Sequence, residues 1–143
     1  MNLMDKFKDT LIYESQKEFY DERGRGARYR MTTVGVSFFK DEVKDLKDTD
    51  SLIKWLQDNG FVEEIEKEED NVSVTIKVKG CCLKNITEGF TGQGKQPLSC
   101  PIANIFMYSM EQNGSMPPEI TPIEFEDGVC RIRMAKIYTS DVV

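Results

Sequence analysis

The sequence predicts an α+β fold in which N-terminal helices pack on a four-stranded antiparallel sheet built from two hairpins, with a further helix between the hairpins. Three observations predict it. Apolar residues recur at helical spacing in the N-terminal part of the chain. Valine and isoleucine alternate with polar residues over 72–78, which is typical of a half-buried strand. Asp127-Gly128 is a strong hairpin-turn pair. The length of 143 residues suits a single domain over 1–143.

Three helices are expected before the sheet. The first is predicted over 2–22 and the second over 27–46, because apolar residues in both stretches repeat every three or four positions between charged ones. A shorter helix is predicted over 51–59. Asp48 is a candidate N-cap for it, and Gly60 supplies the left-handed residue that commonly follows a helix.

The first hairpin is predicted from strands over 61–67 and 72–78. The stretch 80–99 contains several glycines and is predicted to be a long loop that covers or builds a site. A helix over 101–113 follows, since Ser99 or Cys100 can cap it and proline suits its first position.

The second hairpin is predicted from strands over 119–126 and 129–137. In the last strand, a period of two turns Cys130, Ile132 and Met134 toward the interior. Every predicted element therefore belongs to one layered domain.

Composition excludes several classes of function. The net charge of −6 argues against direct nucleic-acid binding. The chain contains no histidine, which excludes histidine-dependent catalytic triads and histidine-ligated metals, and no catalytic residues are predicted. No apolar run is long enough to span a membrane, and the N-terminus lacks the apolar core of a secretory signal. We therefore expect a cytoplasmic protein that is not an enzyme, with no membrane partner and with reduced cysteines.

The cysteines are the strongest candidates for a functional site. Cys82 follows a predicted strand, Cys100 opens a predicted helix, and Cys130 lies on the inner face of the last strand. Three thiolates can hold zinc or part of an iron–sulfur cluster, so these three are the candidate metal ligands. The alternative is that Cys130 is a core residue, because free cysteine is often buried. At Cys100 the positive end of the helix dipole favours the thiolate.

Three segments carry a resemblance to a known family. They are DTDSLIKWLQDNGFVEEIEKEEDNVSVTIKVKGCC, PLSCPIANIFMYSMEQNG and EFEDGVCRIRM, with Cys100, Gly128 and Cys130 at the matching positions. With the opening helices they cover roughly 11–137, and over this range the chain resembles the 4-vinyl reductase domain. The family often has a further cysteine before the final turn, where this chain has Pro122 to Phe125. The resemblance implies a sensory or regulatory ligand-binding domain and no reductase chemistry.

The functional prediction is a small-molecule-binding sensory or regulatory module with a cysteine-lined site. Its ligand is expected to be a small apolar or organic molecule held between the helices and the sheet. The predicted lining residues are Phe38, Phe90, Ile105, Phe106 and Met110. Two alternatives stay open, namely a cysteine-ligated zinc or iron–sulfur redox protein, and an interaction subunit whose N-terminal helices form a homodimer.

Overall fold

In a computed structural model of the protein, which describes residues 2–24, 31–97, 99–114 and 122–136, the two predicted hairpins join edge to edge in one antiparallel sheet. The four strands are β1 (Glu64–Glu69), β2 (Ser73–Lys79), β3 (Glu124–Glu126) and β4 (Val129–Ala135). Their order is β1-β2-β4-β3, so the second strand of each hairpin lies at the centre. The α+β prediction with two hairpins is confirmed.

The two central strands are held in register by their apolar faces. Val78 lies opposite Cys130 and Ile76 opposite Ile132, and all four side chains are buried. Pairs of this kind stabilise a sheet because facing side chains on neighbouring strands contact one another. The turn at Asp127 and Gly128 has positive φ at both residues (53° and 78°), as a two-residue hairpin turn of the primed type requires.

The strands differ from the prediction in two respects. β2 is buried on both faces, because Ser73 and Thr75 on its other face are also buried. Thr75 lies opposite Glu68 on one side and Arg133 on the other, and the stems of such long side chains cover a central strand. In the described part of the predicted strand 119–126, only Glu124–Glu126 form a strand and 122–123 do not, and 115–121 lie outside the described residues.

Five helices accompany the sheet in the described part of the chain. They are α1 (Leu3–Arg23), α2 (Val36–Glu42), α3 (Thr49–Asp58), α4 (Lys84–Thr91) and α5 (Pro101–Gln112). The predicted caps of α3 are confirmed, since the Asp48 side chain accepts a hydrogen bond from the Asp50 amide and Gly60 has φ of +76°. Among the described residues, none of these helices is both long enough and apolar enough to cross a membrane.

The predicted helix over 27–46 is wrong. Among the described residues of this stretch, only Val36–Glu42 is helical, 32–35 form turns and 43–46 are irregular, and 27–30 lie outside the described residues. Gly35 adopts a left-handed conformation with φ of +85°, which an α-helix cannot include. A Cβ atom at Gly35 would lie 2.7 Å from Cβ of Pro101, so this turn lies directly against the start of α5. Apolar periodicity alone did not reveal that contact.

The predicted loop over 80–99 is also wrong in its middle, where α4 forms. Ile86, Thr87 and Phe90 give this helix a buried face. Its glycine, Gly89, permits a close approach to the neighbouring helix, because a Cβ atom there would lie 2.8 Å from Cε2 of Tyr13 in α1. Gly89, one of the glycines that predicted a loop, therefore serves helix packing instead.

The core lies between the inner face of the sheet and helices α2, α3 and α5. α5 contributes most of it, with eight buried residues among its twelve. In contrast, α1 is described over its whole length and has no buried residue. It packs on α4, where the Tyr13 and Phe90 rings lie 4.8 Å apart between centroids. α1 is therefore a cover on the domain rather than part of its core.

Candidate functional site

A cavity of about 270 Å³ lies between α1, α4, the first turn of α5 and the inner face of the sheet. Its wall is mainly apolar, and the aliphatic lining residues include Ile12, Val34, Val78, Ile86, Ile123 and Ile132. Ile12 and Val34 are each 40% exposed, so they mark its solvent-facing edge. The volume is just below the range of roughly 300–1,000 Å³ that is usual for ligand pockets, which limits an occupant to a small molecule.

Three cysteines from three different elements line this cavity. Cys81 lies between β2 and α4, Cys100 is the N-cap of α5, and Cys130 is in β4. The prediction placed Cys82 here instead, but Cys82 is exposed and does not line the cavity. The reason is local. Cys82 N donates a hydrogen bond to Phe61 O at 2.9 Å, which fixes the turn so that the preceding residue faces inward.

Cys81 has surroundings that favour its thiolate. The neighbouring Cys82 thiol donates a hydrogen bond to it, and Leu83 N donates to its Sγ at 3.4 Å. These hydrogen bonds lower the pKa of Cys81 to about 7, although burial opposes the shift. The same pairing raises the pKa of Cys82, because ionising the donor breaks the hydrogen bond. The pair therefore holds one proton firmly and releases the other near neutral pH.

The other two cysteines differ from Cys81. Burial raises the pKa of Cys130 to about 12, with further contributions from the negative charge of the Cys100 and Cys81 thiolates. Cys130 is therefore a neutral thiol at physiological pH. Cys100 was predicted to open a helix, and this is confirmed because its Sγ accepts a hydrogen bond from Ala103 N at 3.5 Å. Cys81 is thus a cavity-lining sulfur whose pKa is lowered to about 7 by the hydrogen bonds that it accepts.

A buried polar group holds one wall of the cavity in place. The side-chain amide of Asn104 in α5 donates to Met31 O and Val34 O, both at 3.0 Å, and the Ser99 hydroxyl donates to Met31 O at 2.8 Å. These two carbonyls therefore accept hydrogen bonds from residues in and just before α5, and they do not take part in an N-terminal extension of α2. The sequence prediction missed Asn104. An asparagine within the apolar run from Ile102 to Phe106 could have indicated it, because buried polar groups are almost always hydrogen-bonded.

None of the five residues predicted to bind the ligand lines the cavity. Ile105, Phe106 and Met110 belong to the core, and Phe90 is buried against Tyr13. Phe38 is 49% exposed and packs in an aromatic group with Phe39 and Phe61 on another part of the surface. The error has a simple cause, since only the first turn of α5 faces the cavity and its later turns pack in the core with α2 and α3.

The predicted metal site is not assembled in the described part of the chain. No group of three or more cysteine, aspartate or glutamate residues there is arranged to hold a metal ion. Cys82, Cys100 and Cys130 all belong to the described residues, so the predicted set is among those that are not arranged to hold a metal ion. The cysteines converge on an apolar cavity instead.

The fold and the site together define an α+β domain with a cysteine-lined apolar cavity. Comparisons of this chain with protein-family models, with curated proteins and with solved structures give no match. The resemblance to the 4-vinyl reductase domain stays a prediction.

Proposed function

We propose that this protein is a small-molecule-binding regulatory module whose ligand is a small apolar organic molecule held in the cysteine-lined cavity. The observation that carries the proposal is the cavity itself, an apolar space of about 270 Å³ between the sheet and its helices. Removing apolar ligand surface from water stabilises a complex by about 25 cal/mol per Å². The resemblance to a family of hydrocarbon-type binding modules supports the same class of ligand.

The polar groups of the lining favour a ligand with few polar atoms. The Ser99 hydroxyl donates to Met31 O, and the Thr87 hydroxyl donates to Leu83 O at 3.4 Å. Because both hydrogens are used within the protein, few donors remain for a ligand. The cavity is therefore expected to select its ligand by shape and by apolar contact.

A regulatory role is supported by the position of α1. Ile12 and Gln16 of this helix line the cavity, although α1 has no buried residue of its own. A ligand that contacts Ile12 adds to the few interactions that hold α1 on the domain. Occupancy of the cavity would therefore change how firmly α1 is held, and this difference can be passed to a partner.

The test is thermal denaturation with 3-octanone, an apolar ketone, as the probe. Saturating ketone is expected to raise the melting temperature by roughly 5–10 °C, because a ligand at about 100 times its Kd adds about 2.7 kcal/mol. Val34→Phe should abolish most of this shift by filling the edge of the cavity. Val72→Phe is the matched control, because Val72 is 63% exposed on the first hairpin. Equal shifts in the parent and Val34→Phe, or no shift in either, would contradict the proposal.

The metal alternative has its own discriminating measurement. Elemental analysis and an ultraviolet–visible spectrum of anaerobically purified protein distinguish the two functions. Colourless, metal-free protein that binds the ketone supports the ligand-binding proposal. Stoichiometric zinc or iron that is lost in Cys100→Ser would favour the metal protein instead.

A second candidate function, association into a homodimer, is favoured by an exposed apolar face on α1. Leu3, Met4, Phe7 and Leu11 recur at helical spacing and are between 54% and 82% exposed. A second copy of α1 presents the same face, so an isologous helix pair would remove both from water. Association of this kind is compatible with ligand binding, because this face points away from the contacts with α4.

A further inference from the structure

We propose that Cys81 captures electrophilic ligands covalently in this cavity, and that the ligands are apolar α,β-unsaturated carbonyl compounds. The inference rests on the proposed function, because the compound must first enter the cavity. It adds a chemical class of ligand and names the atom with which that ligand reacts, Sγ of Cys81.

The position of Cys81 combines access with activation. It lines the cavity and is 8% exposed, so a compound inside the cavity reaches the sulfur more readily than bulk solvent does. Its Sγ accepts hydrogen bonds from Leu83 N and from the Cys82 thiol, at the point where α4 begins. The backbone amides and the dipole of an eight-residue helix stabilise negative charge at this end.

The other three cysteines are less suited to the reaction. Cys130 is buried in β4 and lacks a neighbouring hydrogen-bond donor comparable to Leu83 among the described contacts, and burial favours its neutral thiol. Cys100 also accepts a backbone hydrogen bond, but its neighbours in sequence are Ser99 and Pro101, so it has no adjacent thiol that could donate to its sulfur or supply a proton. Cys82 is exposed and lies outside the cavity.

Cys82 does not line the cavity, but its thiol donates a hydrogen bond to Sγ of Cys81, so it lies beside the reacting sulfur and can supply a proton. The thiolate of Cys81 adds to the β-carbon of the ligand, a C–S bond forms, and the π electrons of the C=C bond move toward the carbonyl oxygen to give an enolate. The Cys82 thiol then donates its proton to the α-carbon, and water returns a proton to Cys82. The net change adds the sulfur and one hydrogen across the C=C bond, and it needs no oxidant or reductant.

The apolar wall selects this electrophile over small polar reagents such as peroxides. Aliphatic side chains from α1, α4 and the two central strands surround the sulfur. A carbon chain attached to the reacting group can contact them, so binding holds the β-carbon beside the nucleophile and raises the rate. A polar reagent gains nothing from the same wall.

The experiment compares 1-octen-3-one with methyl vinyl ketone, which has the same reacting group and a shorter chain. Adducts are quantified by intact-mass spectrometry at pH 7 and located by peptide mapping. The rate ratio of octenone to methyl vinyl ketone is expected to be at least about tenfold higher for the protein than for N-acetylcysteine, because buried methylene groups add to binding. One adduct per chain is expected, on Cys81.

The variants separate the roles of the cysteines. Cys81→Ser should lose the adduct, and Cys82→Ser should slow its formation several-fold. Val72→Ser is the control, since it introduces serine at an exposed residue of the first hairpin that does not line the cavity, and it should leave the rate unchanged. Saturated 3-octanone should compete with octenone and should still stabilise Cys81→Ser, which also establishes that this variant folds.

Three results would overturn the inference. They are an adduct mainly on Cys82 or Cys100, a rate that does not depend on chain length, and the absence of a Cys81 adduct from protein that 3-octanone stabilises. The last result leaves the proposed function intact. If 3-octanone does not stabilise the parent protein, the proposed function is contradicted and covalent capture is contradicted with it.

Discussion

Gly89 of α4 lies so close to Tyr13 of α1 that a Cβ atom on Gly89 would be 2.8 Å from Cε2 of the ring. The ring cannot easily turn away, because the Tyr13 hydroxyl accepts a hydrogen bond from Nε2 of Gln93 at 2.9 Å. This contact joins the helix that covers the cavity to the helix that forms its side. The close packing of α1 on α4 therefore depends on the absence of a side chain at Gly89.

Replacement of Gly89 by alanine is expected to loosen α1. Alanine in a helix is ordinarily more favourable than glycine by roughly 0.5–1 kcal/mol, whereas overpacking costs about 1–3 kcal/mol. We expect the clash to prevail, so Gly89→Ala should lower the free energy of unfolding and speed proteolysis within α1. In a Tyr13→Ala background the clash is absent, and the same change should become stabilising. If Gly89→Ala stabilises both backgrounds, the close packing described here is wrong.

The vicinal thiols predict a pH dependence of stability with a maximum. The pKa of Cys81 in the folded protein is about 7, below the ordinary thiol value of about 8.5. Between these values the unfolded chain binds more protons, so stability rises with pH. Above about pH 8.5 both thiols of the unfolded chain lose their protons, whereas the raised pKa of Cys82 keeps this thiol protonated in the folded protein. Stability therefore falls as the pH rises further.

The measurement compares the parent with a Cys81→Ser, Cys82→Ser double variant by urea denaturation under reducing conditions. The difference in the free energy of unfolding should increase from pH 6 to about pH 8.5 and decrease toward pH 10. Burial, the largest cause of the raised pKa of Cys130, is present in both proteins, so most of its titration cancels from the difference. A difference that is flat across this range would show that the pair does not exchange a proton as described.

Asn104 is predicted to be important for both stability and the cavity. Asn104→Leu removes the donor for Met31 O and Val34 O, and leaving such carbonyls without their donor costs roughly 1–3 kcal/mol. Chemical denaturation should register this loss, and the shift produced by 3-octanone should decrease because Val34 is held less firmly. Gln112→Leu introduces the same residue at an exposed position of α5 and serves as the control. Equal stability of the two variants would contradict the role given to Asn104.

The exposed face of α1 predicts self-association. Phe7 is 55% exposed, and Phe7→Glu would place a carboxylate in the middle of the apolar face. Sedimentation velocity of the parent is expected to give a dimer, and Phe7→Glu should give a monomer because burying an unpaired charge is unfavourable. Val72→Glu makes the same kind of change on the first hairpin and should remain dimeric. A monomeric parent at micromolar concentrations would remove α1 from any interface between copies.

The parts of the fold that could be predicted from the sequence are those specified locally. The existence of strand β2, the turn at Asp127-Gly128 and the cap at Asp48 each depend on residues close together in the chain, and the structure confirms them. Errors occurred where a glycine faces a distant element. Gly35 lies against Pro101, and Gly89 lies against Tyr13. The spacing of apolar residues around either glycine does not indicate these contacts.

In the candidate site, too, features specified locally could be predicted from the sequence, and features set by distant contacts could not. Cys100 could be predicted because a serine, a cysteine and a proline in sequence are a local signature of a helix start. Whether Cys81 or Cys82 faces inward depends on the hydrogen bond from Cys82 N to Phe61 O, which joins residues far apart in the chain. The lining residues were mistaken because the direction in which each turn of α5 faces is set by tertiary packing.

The arrangement of α1 has a kinetic consequence. Separation of this helix from α4 and from residues 93–99 would widen the way into and out of the cavity, and it disturbs little of the core because α1 has no buried residue. Local opening of such a segment needs far less free energy than global unfolding. The residence time of a reversibly bound ligand is thus decoupled from the stability of the sheet, and amide hydrogen exchange in α1 should slow when the cavity is filled while exchange in β2 and β4 stays the same.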